Sequence, residues 1–211
     1  MIHATRAIVL SHLRYGDNSL IIHLYTEKLG RQTVFVNGVF SKKSAMRPSL
    51  FQPLHLLDTQ LHHRANRQMQ RISNTQMHYS FQNMPFDPVK NCIALFIAEV
   101  LYKTLKEEEA NNKLFEFLLH TIQTLDLNEH GTANFHIAFL VHYSRYLGFS
   151  LKYENLSPQL SEISFDNLQS LQLCHHQRNK IVEYLLECYS MHMENFGKLK
   201  SLPVLQSLFE K

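Results

Sequence analysis

Apolar and polar positions alternate in short runs over the first eighty residues, then recur at helical spacing over the rest of the chain. Ala4 to Leu13 is rich in apolar residues and is broken by Tyr15-Gly16-Asp17-Asn18. Leu20 to Tyr25 makes a second strand, ended by Glu27-Lys28-Leu29-Gly30, and Gln32 to Val36 a third, ended by Asn37-Gly38. Ser41 to Ser49 is a polar loop. Leu54 to Leu61 and Gln68 to Met77 supply strands four and five, with His62 to Arg67 between them. Five short strands with no long helix among them predict a small closed or nearly closed barrel. An SH3-like barrel or an open meander fits the pattern alone almost as well.

Near Phe86 the period changes. Asp87-Pro88 pairs a capping residue with proline at the first helical position, where its missing N–H costs nothing. Ile93, Phe96, Ile97, Val100, Leu101 and Leu105 then predict a helix to about Lys106, with Glu107-Glu108-Glu109 as a solvated end. Leu114 to Leu125 marks a second helix, and Phe135 to Leu147, stopped by Gly148, a third. Arg178 to Glu194 is a fourth, and Ser201-Leu202-Pro203 opens a short last one. The stretch Tyr153 to Gln177 is irregular. Such stripes are the mark of a helical core, so the expected class is α+β, with a barrel at 1–80 and an all-α part at 81–211.

Charge divides the chain along the same line. Residues 1–80 hold ten Lys or Arg against Asp17, Glu27 and Asp58, a balance of +7, whereas the remainder balances at −4. The net of +3 hides this split. A basic part joined to a mildly acidic one suggests that one half faces a polyanion. No apolar run approaches the roughly 18 to 20 residues that span a bilayer, and no signal-peptide pattern opens the chain. Cys92, Cys174 and Cys188 are odd in number and widely spaced, as expected of reduced thiols in the cytoplasm.

Chemistry is mostly excluded. Fourteen histidines invite a metal reading, but His62-His63 and His175-His176 are adjacent pairs whose side chains diverge. Neither a His-Glu-x-x-His turn nor a C-x-x-C occurs, so no cofactor or metal is expected; Cys174 with His175 and His176 is the nearest to a ligand cluster. No glycine loop or nucleophile elbow points to catalysis. Five-stranded barrels bind single strands between the loop joining strands one and two and that joining four and five. Those loops hold Arg14 and Tyr15, then Arg64 and Arg67 with His62 and His63, and Lys42, Lys43 and Arg47 extend the charge. Cations release counterions from phosphates and aromatics stack on bases. Tyr15 is the stacking candidate, whereas Tyr25 and Phe35 fit better as barrel core.

Ala7-Ile8-Val9-Leu10, Arg14-Tyr15-Gly16-Asp17 and Leu24 to Arg31 resemble the opening of the bacterial recombination mediator family RecO. Gly38, Lys42-Lys43, Arg47 and Leu50-Phe51-Gln52-Pro53 continue the match in order. Phe135 to Leu140, Tyr146-Leu147-Gly148-Phe149 and Leu199-Lys200-Ser201-Leu202 extend it over nearly the whole chain. The resemblance implies an N-terminal OB-fold and a helical C-terminal domain. It further implies a non-enzymatic mediator in DNA repair that binds single- and double-stranded DNA and anneals complementary strands. Its partners would be RecR and the C-terminal tail of the single-stranded-DNA-binding protein SSB, so that RecA loads on covered DNA, in the bacterial cytoplasm at the nucleoid and with no membrane. Two departures matter: the four-cysteine zinc module of many relatives is missing, and Ala138 stands where many have Arg. The basic residues of the acidic half, Lys113, Arg145, Lys152, Arg178 and Lys180, are the candidates for the tail, though no matched motif fixes them. The rivals of other classes are an RNA-binding barrel and a small hydrolase.

Overall fold

A computed structural model describes residues 1–41, 44, 46–149, 151, 160 and 162–209. Lys42, Lys43, Lys152 and, of the irregular stretch Tyr153 to Gln177, residues 153–159 and 161 lie outside the described residues. The chain forms two compact units, Met1–Ser80 with Ala98–His120, and Phe81–Ile97 with Thr121–Lys211.

In the first unit five strands, β1 (Ile2–Tyr15), β2 (Ser19–Thr26), β3 (Gly30–Asn37), β4 (Leu56–His62) and β5 (Arg71–Met77), form one antiparallel sheet in the order β3-β2-β1-β4-β5. Its two edges meet at one point, a parallel bridge between Val34 and Gln70. There the Gln70 N–H donates to Thr33 O at 2.8 Å and Phe35 N–H to Gln70 O at 3.0 Å. This is the connectivity of an OB-fold barrel, left open along the rest of its seam. The period of two puts Leu20, Ile22, Leu24, Val34 and Val36 inside, and Phe51, on a 3-10 turn between β3 and β4, completes the plug. Strand four begins at Leu56 rather than Leu54, because Leu54 adopts φ 62°, outside the strand region. Gln68 to Gln70 belong to the loop, and strand five starts at Arg71.

Five α-helices appear among the described residues: α1 (Pro88–Thr104), α2 (Asn112–Leu127), α3 (Phe135–Tyr146), α4 (His175–His192) and α5 (Ser201–Leu208). The Asp87 carboxylate caps α1 by accepting the Val89 N–H at 2.8 Å. Helix α4 starts three residues earlier than periodicity predicts. Cys174 and Gln177 form a reciprocal cap there, an arrangement apolar spacing does not register. Helix α3 is buried on nearly every side, from Phe135 to Ser144, and is the core of the second unit. A buried carboxylate, Asp126, holds the turn before α1, accepting the main-chain N–H groups of Gln82, Asn83 and Met84 at 2.8, 2.9 and 2.6 Å. No described helix is long and apolar enough to cross a membrane.

Candidate nucleic-acid interface

The outward positions of β2 and β3 divide into a covered end and an open end. At the covered end Tyr25 is buried and stacks on Phe115, with ring centroids 6.2 Å apart. His23 meets Tyr102 edge-on at 5.1 Å, and burial, with Arg31 adding repulsion, lowers its pKa. Arg31 lies over the Tyr102 ring and donates to the carbonyls of Tyr102 and Leu105, closing the last turn of α1. Arg6 makes a two-pronged pair with Glu27, at 3.0 and 2.7 Å, and also reaches Glu116. That pairing holds the Glu27 carboxyl below its ordinary pKa, chiefly through the Arg6 hydrogen bond. Arg6 and Arg31, two of the ten basic residues, are therefore engaged within the unit.

The open end is different. Leu13, Ile21 and Phe35 stand side by side across β1, β2 and β3, and the exposed Tyr15 meets Phe35 edge-on at 5.8 Å. Phe35 thus faces outward, contrary to the core reading, because Val34 and Val36 hold the inward positions. Tyr25 is buried, but on the outer face of the barrel beneath Phe115 rather than in the barrel core, because Leu24 holds the inward position. Arg14 donates to the carbonyls of Gly16 and Asp17 at 3.4 and 3.3 Å and lies 4.9 Å over the exposed Phe40 ring. The turn Gly16-Asp17-Asn18 is tied to the end of β3 by the Val39 N–H, which donates to Asn18 O at 2.9 Å.

The loop between β4 and β5 completes this end. His62, Arg64, Arg67, Met69, Gln70, Arg71 and Ile72 line a cleft of about 390 Å³. Arg14, Arg47, Arg64, Arg67 and Arg71 are all exposed, and among the described residues none has a carboxylate partner. Arg71 and Phe40 are not among the sequence candidates; Phe35 is, as a stacking residue read in favour of barrel core. Alternation within β5, where Ile72 is buried and Arg71 exposed, is the signal that finds the first of them. Exposed cations without acidic partners beside an aromatic surface can hold phosphates and stack bases.

Lys113 is exposed in the first unit, and Arg145 and Lys180 are exposed in the second. Arg178 is no rim residue: it is buried under Phe209, 5.1 Å from the ring, and donates to Asn134 Oδ1 and Leu173 O. Ala138 is fully buried. A groove of about 590 Å³ between α4 and the residues leading into α5 is lined by Leu186, Phe196, Leu199 and Leu202, with Glu183, Glu187 and Lys198 as its charges. None of the described candidate cations lines it. Cys174 is exposed beside His175 and His176, and no set of three or more His, Cys, Asp or Glu is gathered for a metal among the described residues.

A five-stranded barrel with its seam at one parallel bridge, followed by helices, defines the class: an OB-fold protein with a helical second part. The family profile described as Recombination protein O N terminal matches residues 1–81, and that described as Recombination protein O C terminal matches 85–157. The DNA repair protein RecO of Phocaeicola vulgatus is 32% identical over 240 residues, covering 99% of this chain and 100% of the relative. That of Bacteroides fragilis is 32% identical over 242 residues with full coverage of both, and that of Christiangramia forsetii 32% over 239 with 99% of each. These alignments are longer than the 211 residues here, so the relatives carry positions that this chain lacks. The chain belongs to the RecO family of DNA repair proteins.

Proposed function

We propose that this protein is a non-enzymatic recombination mediator. It binds single- and double-stranded DNA at the open end of its barrel, anneals complementary strands and, with RecR, helps RecA load on SSB-covered DNA. The observation that carries the DNA-binding part is the set of exposed arginines without acidic partners around the Tyr15–Phe35 surface. Lys42 and Lys43 add charge in the same sequence segment as Arg47. Annealing follows from binding that neutralises phosphates without reading base edges, since two cation-coated strands no longer repel. Because α1 and α2 cover the Tyr25 end of the β2–β3 face, the strand's path is confined to the Tyr15 end. The helical half is proposed to take the SSB tail, with Arg145 and Lys180 the exposed cations available in the second unit. The groove beside α4, carrying Glu183 and Glu187, is a poor acceptor for an acidic tail.

The test is strand annealing with bare and with SSB-covered oligonucleotides, alongside competition by RNA of the same sequence. Faster annealing on both DNA substrates, little reduced by RNA competitor, is expected. No acceleration on either substrate, or equal competition by RNA, contradicts the proposal.

A further inference from the structure

The loop between β4 and β5 has little core of its own: every residue from Arg64 to Met69 is exposed. Such a segment ordinarily frays, and its arginines would meet a ligand as two loose chains. Gln70 changes this. It is 5% exposed, and its side chain turns back onto the loop. Its Oε1 accepts the Arg64 N–H at 2.8 Å, and its Nε2 donates to Arg64 O at 3.0 Å and Arg67 O at 2.7 Å. Both amide hydrogens are used. Arg64 and Arg67 are also the first and fourth residues of one turn, closed by the Arg67 N–H on Arg64 O at 3.0 Å. The Gln70 main chain meanwhile makes the bridge to Thr33 and Phe35 that joins the sheet edges. One residue therefore ties the arginine turn to the strand that carries Phe35.

We infer that Gln70 is a positioning residue for nucleic acid: its side-chain amide fixes Arg64 and Arg67 beside the Phe35–Tyr15 surface before any strand arrives. The inference rests on the proposed DNA-binding role of the open end. Barrel closure does not need the amide, because the main chain makes the bridge. What the amide supplies is the order of the loop, so that binding a phosphate no longer has to order it. The arginines touch the ligand; Gln70 acts through them.

The full-length chain is titrated with a fluorescent oligo-dT at several salt concentrations, as wild type, Gln70→Met, Arg64→Ala/Arg67→Ala and the triple variant. Met keeps length and volume and removes all three hydrogen bonds. Gln70→Met is expected to bind about tenfold more weakly with an unchanged log–log salt slope, since the same cations still reach phosphates. The double arginine variant should lose about 1.4 from the slope. Adding Gln70→Met to it should cost nothing further, and hydrogen exchange at the Arg64 amide should quicken in Gln70→Met without DNA. Should Gln70→Met not fold, Gln70→Asn, which keeps a neutral amide but shortens its reach, takes its place in the cycle. Wild-type affinity for the Gln70 variant beside a weakened arginine variant overturns the inference and leaves the site standing. An equal loss in both backgrounds overturns it too, because Gln70 would then act elsewhere. Wild-type binding by the arginine variant removes the loop from the interface and the inference with it.

Discussion

His136 lies within helix α3 at 2% exposure, edge-on to Phe96 and stacked on Phe209, and its Nδ1 has no hydrogen-bond partner among the described residues. Burial, and then the nearby Arg178 charge, lower its pKa to about 3. An unfolded histidine titrates near 6.5, so between these values the unfolded chain takes up a proton that the folded chain refuses. The associated stability is complete above pH 6.5 and falls as pH drops toward 3, by at most roughly 1.4 kcal/mol per pH unit. His136→Leu should therefore flatten the acid limb of denaturant stability measured over that window, while costing little at neutral pH. Parallel limbs for variant and wild type would contradict the assignment. The sequence shows His136 only as one of fourteen histidines inside an apolar stripe. Its stripe position argues for burial, but its apolar surroundings depend on residues distant in sequence, Phe96 and Phe209. Arg178 is the same lesson reversed: a basic residue in an acidic half looks available for a ligand, yet its burial depends on Asn134 and Phe209.

Helix and strand existence follows from local periodicity, and for that reason the five strands and five helices were legible. What covers a strand's outer face is not local. The turn at Glu107-Glu108-Glu109 keeps its side chains in solvent, as its charge suggests, while its main chain closes on β3. The Arg31 N–H donates to Glu107 O at 2.9 Å, and at Gly30, with φ +60°, a Cβ would come within 2.4 Å of Glu109 O. Gly30 is thus needed both for its left-handed backbone and for the approach of this turn. Gly30→Ala should destabilise the first unit by roughly 2–4 kcal/mol through backbone strain and the displaced turn. Solvent accessibility at Tyr25 and Tyr102 should rise, read by tyrosine-directed labelling. Wild-type stability with unchanged labelling would mean that α1 and α2 are held on the face by other contacts. The same covering explains why Tyr25 is buried whereas Phe35, on the same outer face beside the exposed Tyr15, is not.

Across the whole molecule the charge split was the most useful feature of the composition, and it overstates the binding surface. Arg6 and Arg31 are spent on Glu27, Glu116 and helix carbonyls, which leaves Arg14, Arg47, Arg64, Arg67 and Arg71 as exposed arginines without acids among the described residues. Arg14, Arg64 and Arg67 were recognisable from the loops of a five-stranded barrel, because that fold dictates which loops share an end. Arg71 follows from the local alternation of β5, whereas the outward setting of Phe35 and the place of Phe40 follow from register and from turns that bring distant segments together, which no window of sequence displays. Membership of the RecO family was readable from the first sixty residues, where strand, turn and loop residues all match in order. The helical half offered stripes that many bundles share, so its contacts with a partner protein stayed open.

The central claim is that nucleic acid binds electrostatically at the open end of the barrel. The direct measurement is the salt dependence of binding a single-stranded oligonucleotide by the full chain and by the combined variant Arg14→Ala, Arg64→Ala, Arg67→Ala and Arg71→Ala, each confirmed to be folded. With four phosphate contacts removed, the log–log slope should fall by about 2.8 and affinity should drop at every salt concentration. A folded variant with wild-type slope and affinity would place the nucleic acid elsewhere on the molecule.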